Sequence, residues 1–365
     1  MKKSVLCLLS LTALFMVSCS KENNLETVQE NNVAKVHLSI QGETSLQTKA
    51  SGSGHGIKSD DNTVNTLEIF IFKNTGETAA DNGQLELYKK YSSSDLTKGL
   101  SGLELTASTG KKTIYAVCNS HNANNYAGVN TLAKFKEEIS LLKNENLKNF
   151  TMSGFKDVEL STSNDITISV NRMVARVKLA SVKTAFAGTP LEGSTLQNVK
   201  AYLINVHAEK LLWNGSDRSG SQILNLAKYI ENDCKGLAMS GMLYESIADK
   251  VDDTGNSTAR WFYAFENAIE QENSAGKDYY TRLVIEGTLN GVTYYYPINV
   301  NRTGFGYVSN AEIKPGIERN KSYELSVVIS KAGSLDPNEP IVNGTVSVSV
   351  NVEDWTIVPS VVVNF

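Results

Sequence analysis

The chain is short of basic charge. Its 365 residues carry 35 Lys and Arg against 39 Asp and Glu, a net charge of -4, so nothing in the composition builds the positive surface that a phosphate backbone needs, and nucleic acid is not an expected partner. Proline is scarce at 6 residues and glycine ordinary at 26, which excludes collagen-like and low-complexity character. Histidine is rarer still. His37, His55, His121 and His207 never fall at ligand spacing and no H-E-x-x-H occurs, so no histidine metal site is expected. No G-x-S-x-G elbow offers a serine nucleophile. The run STGKKT at 108 to 113 has Leu105 where a phosphate loop needs glycine and Lys112 where it needs Ser or Thr. The acidic stretch DKVDDTGN at 249 to 256 lacks EF-hand spacing and reads as a solvated loop. No catalytic set, metal or cofactor is expected, and the chain does not read as an enzyme.

Of the four cysteines, Cys7 and Cys19 lie in the first segment, while Cys118 and Cys234 show no Cys-x-x-Cys pattern. They read as buried thiols rather than zinc or redox ligands, with a long-range disulfide left open.

What is present is enough apolar material, 41% of the residues, for roughly two domains of about 150 residues each. The chain starts with Lys2 and Lys3 and an apolar run at 4 to 17, too short for the roughly 20 residues of a spanning helix. It ends at Ser18-Cys19 and turns abruptly polar. That is the form of a lipoprotein signal, in which Cys19 takes the lipid; a plain signal peptide with an incidental cysteine is the alternative. The following 20 to 34 reads as a polar tether. From Val36 the apolar Val36, Leu38 and Ile40 alternate with polar residues, the period of a half-buried strand. QTKASGSGHG at 47 to 56 reads as an open loop, with Lys49 before Ala50 a point for trypsin-type cleavage.

Beyond residue 62 strand signals recur with Gly, Asn and Ser punctuation: from Thr66, Gln84, Lys111, Asp165, Met173, Asn198 and Ala259, then a hairpin whose Asn290-Gly291 is a type I′ turn signal. The pattern predicts an all-β, antiparallel sandwich. One exception stands out: Leu132, Phe135, Ile139 and Leu142 recur at helical spacing and predict a single amphipathic helix over 131 to 149, capped by Thr131 or Asn130. A soft domain boundary falls near 171. Tyr279, Tyr280, Tyr294, Tyr295, Tyr296, Trp213 and Trp261 offer either a carbohydrate platform or ordinary strand packing.

At the other end, Val346, Val348, Val350 and Val352 alternate with Ser347, Ser349 and Asn351, followed by apolar Trp355, Ile357, Val361, Val363 and Phe365 around Pro359. This stretch is either the last strand of its own domain or an extension held by another subunit.

Taken in order, the lipoprotein start MKKSVLCLLSLTALFMVSC, the early strand ending in QTKAS, TLAKFKEEISLLKNEN, NRMVARVKLASV, YYYPINVN, IERNKSYELSVVI and the final VSVNVEDWTIV resemble the fimbrillins, structural subunits of type V pili in Bacteroidales-type bacteria. The resemblance covers nearly the whole chain. It implies two transthyretin-like sandwich domains, here 50 to 171 and 172 to 365, after a signal at 1 to 18 and a removable segment at 19 to 49. It also implies export as an outer-membrane lipoprotein, with a trypsin-like protease cutting off the strand of Val36, Leu38 and Ile40. The C-terminal segment of one copy would then fill the vacated groove of the next, giving a surface homopolymer that meets accessory tip and anchor pilins. The family's cleavage usually follows Arg, whereas Lys49 stands here. Because both the cleavage point and the tail are present, a stalk subunit is the favoured reading. The competing reading is a monomeric surface lipoprotein that binds glycan or another host ligand.

Overall fold

A computed structural model describes residues 32–42, 63–145, 149–237, 241–307, 314–339, 341 and 345–354. The first part of the chain forms β1 (Val33–Gly42), β2 (Leu67–Lys73), β3 (Leu85–Tyr91), β4 (Leu103–Ser108), β5 (Gly110–Cys118), the single helical turn α1 (Leu132–Phe135), β6 (Ile139–Leu141), β7 (Met152–Leu160) and β8 (Ser163–Arg172). The remainder forms β9 (Val174–Thr184), β10 (Leu196–Ile204), the short β11 (Val206–His207), β12 (Glu209–Leu211) and β13 (Ile223–Leu224), and α2 (Glu231–Lys235). It continues as β14 (Tyr244–Val251), β15 (Arg260–Phe265), β16 (Arg282–Leu289), β17 (Val292–Asn299), β18 (Lys321–Ile329) and β19 (Val346–Asp354). The fold is all-β, as the alternating patterns predict.

The first sheet runs β3-β2-β5-β7-β8-β1-β4. β7 and β8 pair only at Met152 with Arg172 and Ser153 with Asn171, so the sheet turns a corner there and folds over itself. Gly154 makes the corner possible: a β-carbon at this position would lie 1.9 Å from the Ser169 carbonyl oxygen. Leu67, Ile69 and Ile71 of β2 and Ile114 and Ala116 of β5 share one buried cluster with Val36, Leu38, Leu105, Ile168 and Val170 from the opposite layer. The other face of β2 is also covered. Phe135 of α1 packs 4.7 Å from the Phe70 ring and 4.7 Å from the Tyr115 ring, which is why LEIFIF is buried on both sides.

The second half stacks a sheet β14-β10-β16-β17 on a sheet β15-β9-β18-β19, with Leu203, Leu283, Ile285, Val177, Leu325 and Val327 in the shared core. Two strand pairs depart from a purely antiparallel pattern: β1 with β8 and β18 with β9 are parallel. Parallel neighbours need long crossovers, and both pairs join segments more than a hundred positions apart.

The two halves meet at a polar knot. The Arg319 guanidinium donates to the carbonyls of Asn171 at 2.6 Å, Arg172 at 3.0 Å and Ser153 at 3.2 Å, and Asn320 accepts from the Arg172 guanidinium at 3.1 Å. β6 adds a short antiparallel ladder to β12 of the second half. That ladder corrects the helix expected over 131 to 149. Helix stops at Phe135, Ile139 to Leu141 become strand, and Leu142 is buried from a 3-10 turn at Leu142–Asn144. The apolar spacing came from separate anchors of an extended segment, so tertiary pairing overrode the helical period.

Candidate functional site: a strand inserted between two others

β1 lies between two other strands of the first sheet. It is held on one side by β4, antiparallel, with Val36 opposite Leu105 and Leu38 opposite Leu103. On the other side it runs parallel to β8 along its length, from Lys35 opposite Ser163 to Gly42 opposite Val170. Because side chains alternate across a strand, Ala34, Val36, Leu38 and Ile40 all enter the core, with exposures of 0%, 0%, 0% and 3%. The other face is wet and weakly tied: His37 Nδ1 lies 3.3 Å from the Asp165 carboxylate, and Gln41 donates to Ser169 Oγ at 3.3 Å. Backbone groups fix the register, among them Lys35 N–H to the Thr162 carbonyl at 3.0 Å and Ile40 N–H to the Leu100 carbonyl at 2.8 Å.

Without β1, β4 and β8 would be the walls of a groove whose floor is the apolar cluster of β2 and β5. The sequence pattern marks Val36, Leu38 and Ile40 and also the strand from Asp165 that forms the β8 wall, but not Ala34 or the β4 wall. The alternation of Leu103, Leu105 and Ala107 was the available signal for β4.

The C-terminal candidates divide. Val346, Val348, Val350 and Val352 lie on β19, the edge strand of their own sheet, paired antiparallel with β18 from Ile329 opposite Val346 to Tyr323 opposite Val352. All four valines pack on the core yet are only half-buried, while Ser347, Ser349 and Asn351 are exposed. Trp355, Ile357, Val361, Val363 and Phe365 lie outside the described residues, as do Cys19, Lys49 and Ala50.

The aromatic residues do not form one platform. Tyr296 is fully buried, and Tyr294 packs against the same core. Tyr295 sits on the opposite face of β17, in a small cluster with Tyr202, Tyr229 and Tyr244. Tyr280 carries Arg302 over its ring at 4.1 Å and Trp213 carries Lys136 at 4.7 Å. Cys118 is buried and Cys234 half-buried, both as free thiols, and burial pushes the Cys118 thiol up to about 12. Among the described residues no cluster of His, Cys, Asp and Glu is arranged to hold a metal.

The site is thus a strand buried on one face between two walls, with β19 at the edge of a sheet in the second half carrying a half-buried apolar face. Residues 34–207 match the family model of the major fimbrial subunit protein (FimA). Over 98% of both chains the sequence is 22% identical to major fimbrium subunit FimA type-2 of Porphyromonas gingivalis. It is 25% identical to major fimbrium subunit FimC of that species over 90% of this chain and 66% of the other. Among solved structures, a fimbrilin from P. gingivalis aligns with a TM-score of 0.64 at 19% identity, covering 90% of this chain and 99% of that one. A protein assigned to cell adhesion in Parabacteroides distasonis aligns with a TM-score of 0.66 at 18% identity, covering 90% and 98%. The chain is thus fimbrillin-like, and the resemblance read from its sequence is shown.

Proposed function

We propose that this chain is a structural stalk subunit of a cell-surface fimbrium, exported as a precursor lipidated at Cys19 and activated by a trypsin-like cut after Lys49. On this reading residues 50 to 171 and 172 to 365 are two sandwich domains, and the cut frees β1 from the first. Loss of β1 uncovers an apolar groove and two rows of unpaired backbone groups, both costly in water. The C-terminal segment of a second copy then replaces it.

The observation that carries the reading is the complete burial of one face of β1 between β4 and β8. The four valines of β19 match Ala34, Val36, Leu38 and Ile40 in number and in two-residue spacing. At about 1.5 to 3 kcal/mol for each buried aliphatic side chain, four contribute on the order of 6 to 12 kcal/mol gross, before ordering costs. Main-chain pairing adds direction and register. Donor and acceptor are different surfaces of one molecule, so the contact is heterologous and propagates a fibre. Before the cut, β1 competes at high effective concentration and the precursor is stored as a monomer.

Limited trypsin treatment of the precursor is expected to yield a new N-terminus at Ala50 and concentration-dependent ladders on gels, with fibres visible by electron microscopy. Deleting 346 to 365 is expected to abolish assembly, and deleting 355 to 365 alone to leave the monomer folded and to abolish assembly where that stretch, rather than the valines of β19, is the part that inserts. A protein cut after Lys49 that stays monomeric at high concentration would sink the reading.

A further inference from the structure

The first sheet begins with β3 and ends with β4, and folding over brings these two ends back together. No ladder joins them; side chains cross the seam. The N–H of Thr109 donates to the Asn32 carbonyl beside β1, so by alternation the amide groups of Ser108 and Glu104 face away from β1, toward β3. Glu86 meets the first of them. One of its carboxylate oxygens accepts the Ser108 backbone N–H, and the other accepts the Ser108 hydroxyl at 3.0 Å. Lys112 of β5 closes a triangle, its ammonium 2.9 Å from the Glu86 carboxylate and 2.9 Å from Ser108 Oγ. Further along, Lys89 Nζ donates to the Glu104 carbonyl at 3.4 Å.

Glu86 is aimed at the seam by an irregularity in β3. Ile71 pairs with Leu87 and Phe72 with Leu85, leaving Glu86 without a partner across the ladder. Such a bulge redirects the side chain it carries. Lys112 is 2% exposed and lies on the core-facing side of β5 with Ile114 and Ala116. Burial would raise the Glu86 carboxyl, but the bonds from Ser108 and Lys112 outweigh it and hold the group below its usual range. A buried ion pair contributes little net stability compared with apolar side chains of the same size, so its consequence lies in what it holds.

What it holds is β4. β1 is the only ladder neighbour of β4 among the described strands, and only Leu105 and Ala107 of β4 are buried. While β1 is in place, its ladder positions β4 and the seam contacts are redundant. Once β1 is gone, the seam contacts are the polar attachment that remains. We propose that Glu86, charge-balanced by Lys112, is a positioning residue that keeps β4 standing while the groove is empty, so that an incoming strand finds both walls already ordered. Ordering one wall at the moment of binding would subtract from affinity. The proposal rests on the strand-removal reading of the function.

The test compares wild type with the double variant Glu86→Met/Lys112→Met, which removes the seam contact without stranding a buried charge. Uncut precursors of both are expected to melt alike and to show the same hydrogen exchange at residues 103 to 108. After the cut at Lys49, a labelled synthetic peptide of residues 32 to 42 is added. The cut wild type is expected to take up the peptide, and the cut double variant to bind it at least tenfold more weakly, with faster exchange at 103 to 108. Equal peptide affinity in the two proteins would overturn the proposal. So would loss of protection at 103 to 108 in the uncut variant, because the contact would then be structural in both states. Cut wild type that takes up no peptide would instead bring down the strand-removal reading itself.

Discussion

Gly306 lies edge-on against Val350: a β-carbon on Gly306 would stand 3.0 Å from the Val350 nitrogen and 2.9 Å from the Val348 carbonyl oxygen. Ser330 N–H donates to the Thr345 carbonyl, so along β19 the amide groups of 345, 347 and 349 face β18, while those of Val348 and Val350 face the open edge. The loop carrying Gly306 therefore covers the side of β19 that β18 does not. Its φ of +84° is also one that residues with a β-carbon rarely adopt. Gly306→Ala is expected to destabilise this contact by about 1 to 3 kcal/mol, raising hydrogen exchange at Val346 to Val352 by roughly fivefold or more while the first sheet exchanges as before. If β19 is the donor, the variant also assembles faster after cleavage. Unchanged exchange across β19 would show that the loop does not restrain it.

Leu38 sits at the centre of the buried face of β1, and Ser39 beside it faces outward. Leu38→Ala is expected to lower the stability of the uncut precursor by about 2 to 5 kcal/mol through the cavity it leaves. Ser39→Ala, which loses only a long bond from the Gly102 N–H to the Ser39 hydroxyl at 3.4 Å, should cost no more than about 1 kcal/mol. After cleavage, the fragment bearing Ala at 38 leaves sooner and polymerisation starts with a shorter lag. Denaturant melts of the two precursors check the first point and turbidity time courses the second; equal effects of the two substitutions would mean that β1 is not anchored through its apolar face.

How much of this was legible in the sequence depends on how local the cause was. Strands with two-residue alternation or apolar runs were visible, and the Asn290-Gly291 turn was visible because both residues sit at positive φ, 50° and 83°. Thr131 does cap a helix, accepting the Lys134 N–H at 3.2 Å, yet that helix lasts one turn. The conformation of Ile139 to Leu141 is set by a ladder to Glu209–Leu211, and no local pattern announces a partner so far along the chain. The same holds for the groove. The parallel match of β1 with β8 joins residues such as His37 and Asp165, 128 positions apart, and only the assembled fold shows that β1 is an inserted strand with two walls. Glu86 was invisible for a related reason: within QLELYKKY it reads as the polar member of an alternation, and the bulge that turns it to the seam comes from register with β2.

Glu145 gives the pH dependence a sign. Its carboxylate is fully buried between β6 and the start of β7, accepting the Ser140 hydroxyl at 2.9 Å and the Thr151 N–H at 2.8 Å. Burial pushes this carboxyl up to about 7 from an ordinary 4.5, even though the hydrogen bonds from Thr151 and Ser140 act to lower it. An unfolded chain releases this proton near pH 4.5, whereas the folded chain keeps it until about pH 7. Between those values the unfolded state binds fewer protons, so this group makes stability fall as pH rises, by up to about 3 kcal/mol, and adds no further loss above pH 7. Glu145→Gln removes the titration and keeps both partners, its amide oxygen accepting from Thr151 and its amide nitrogen donating to Ser140 Oγ. The variant should match wild type near pH 4 and exceed it at pH 8. Comparing the two proteins at each pH by chemical denaturation cancels the contributions of every other carboxylate, and a variant less stable than wild type at pH 8 would mean that the folded chain holds Glu145 charged at no cost.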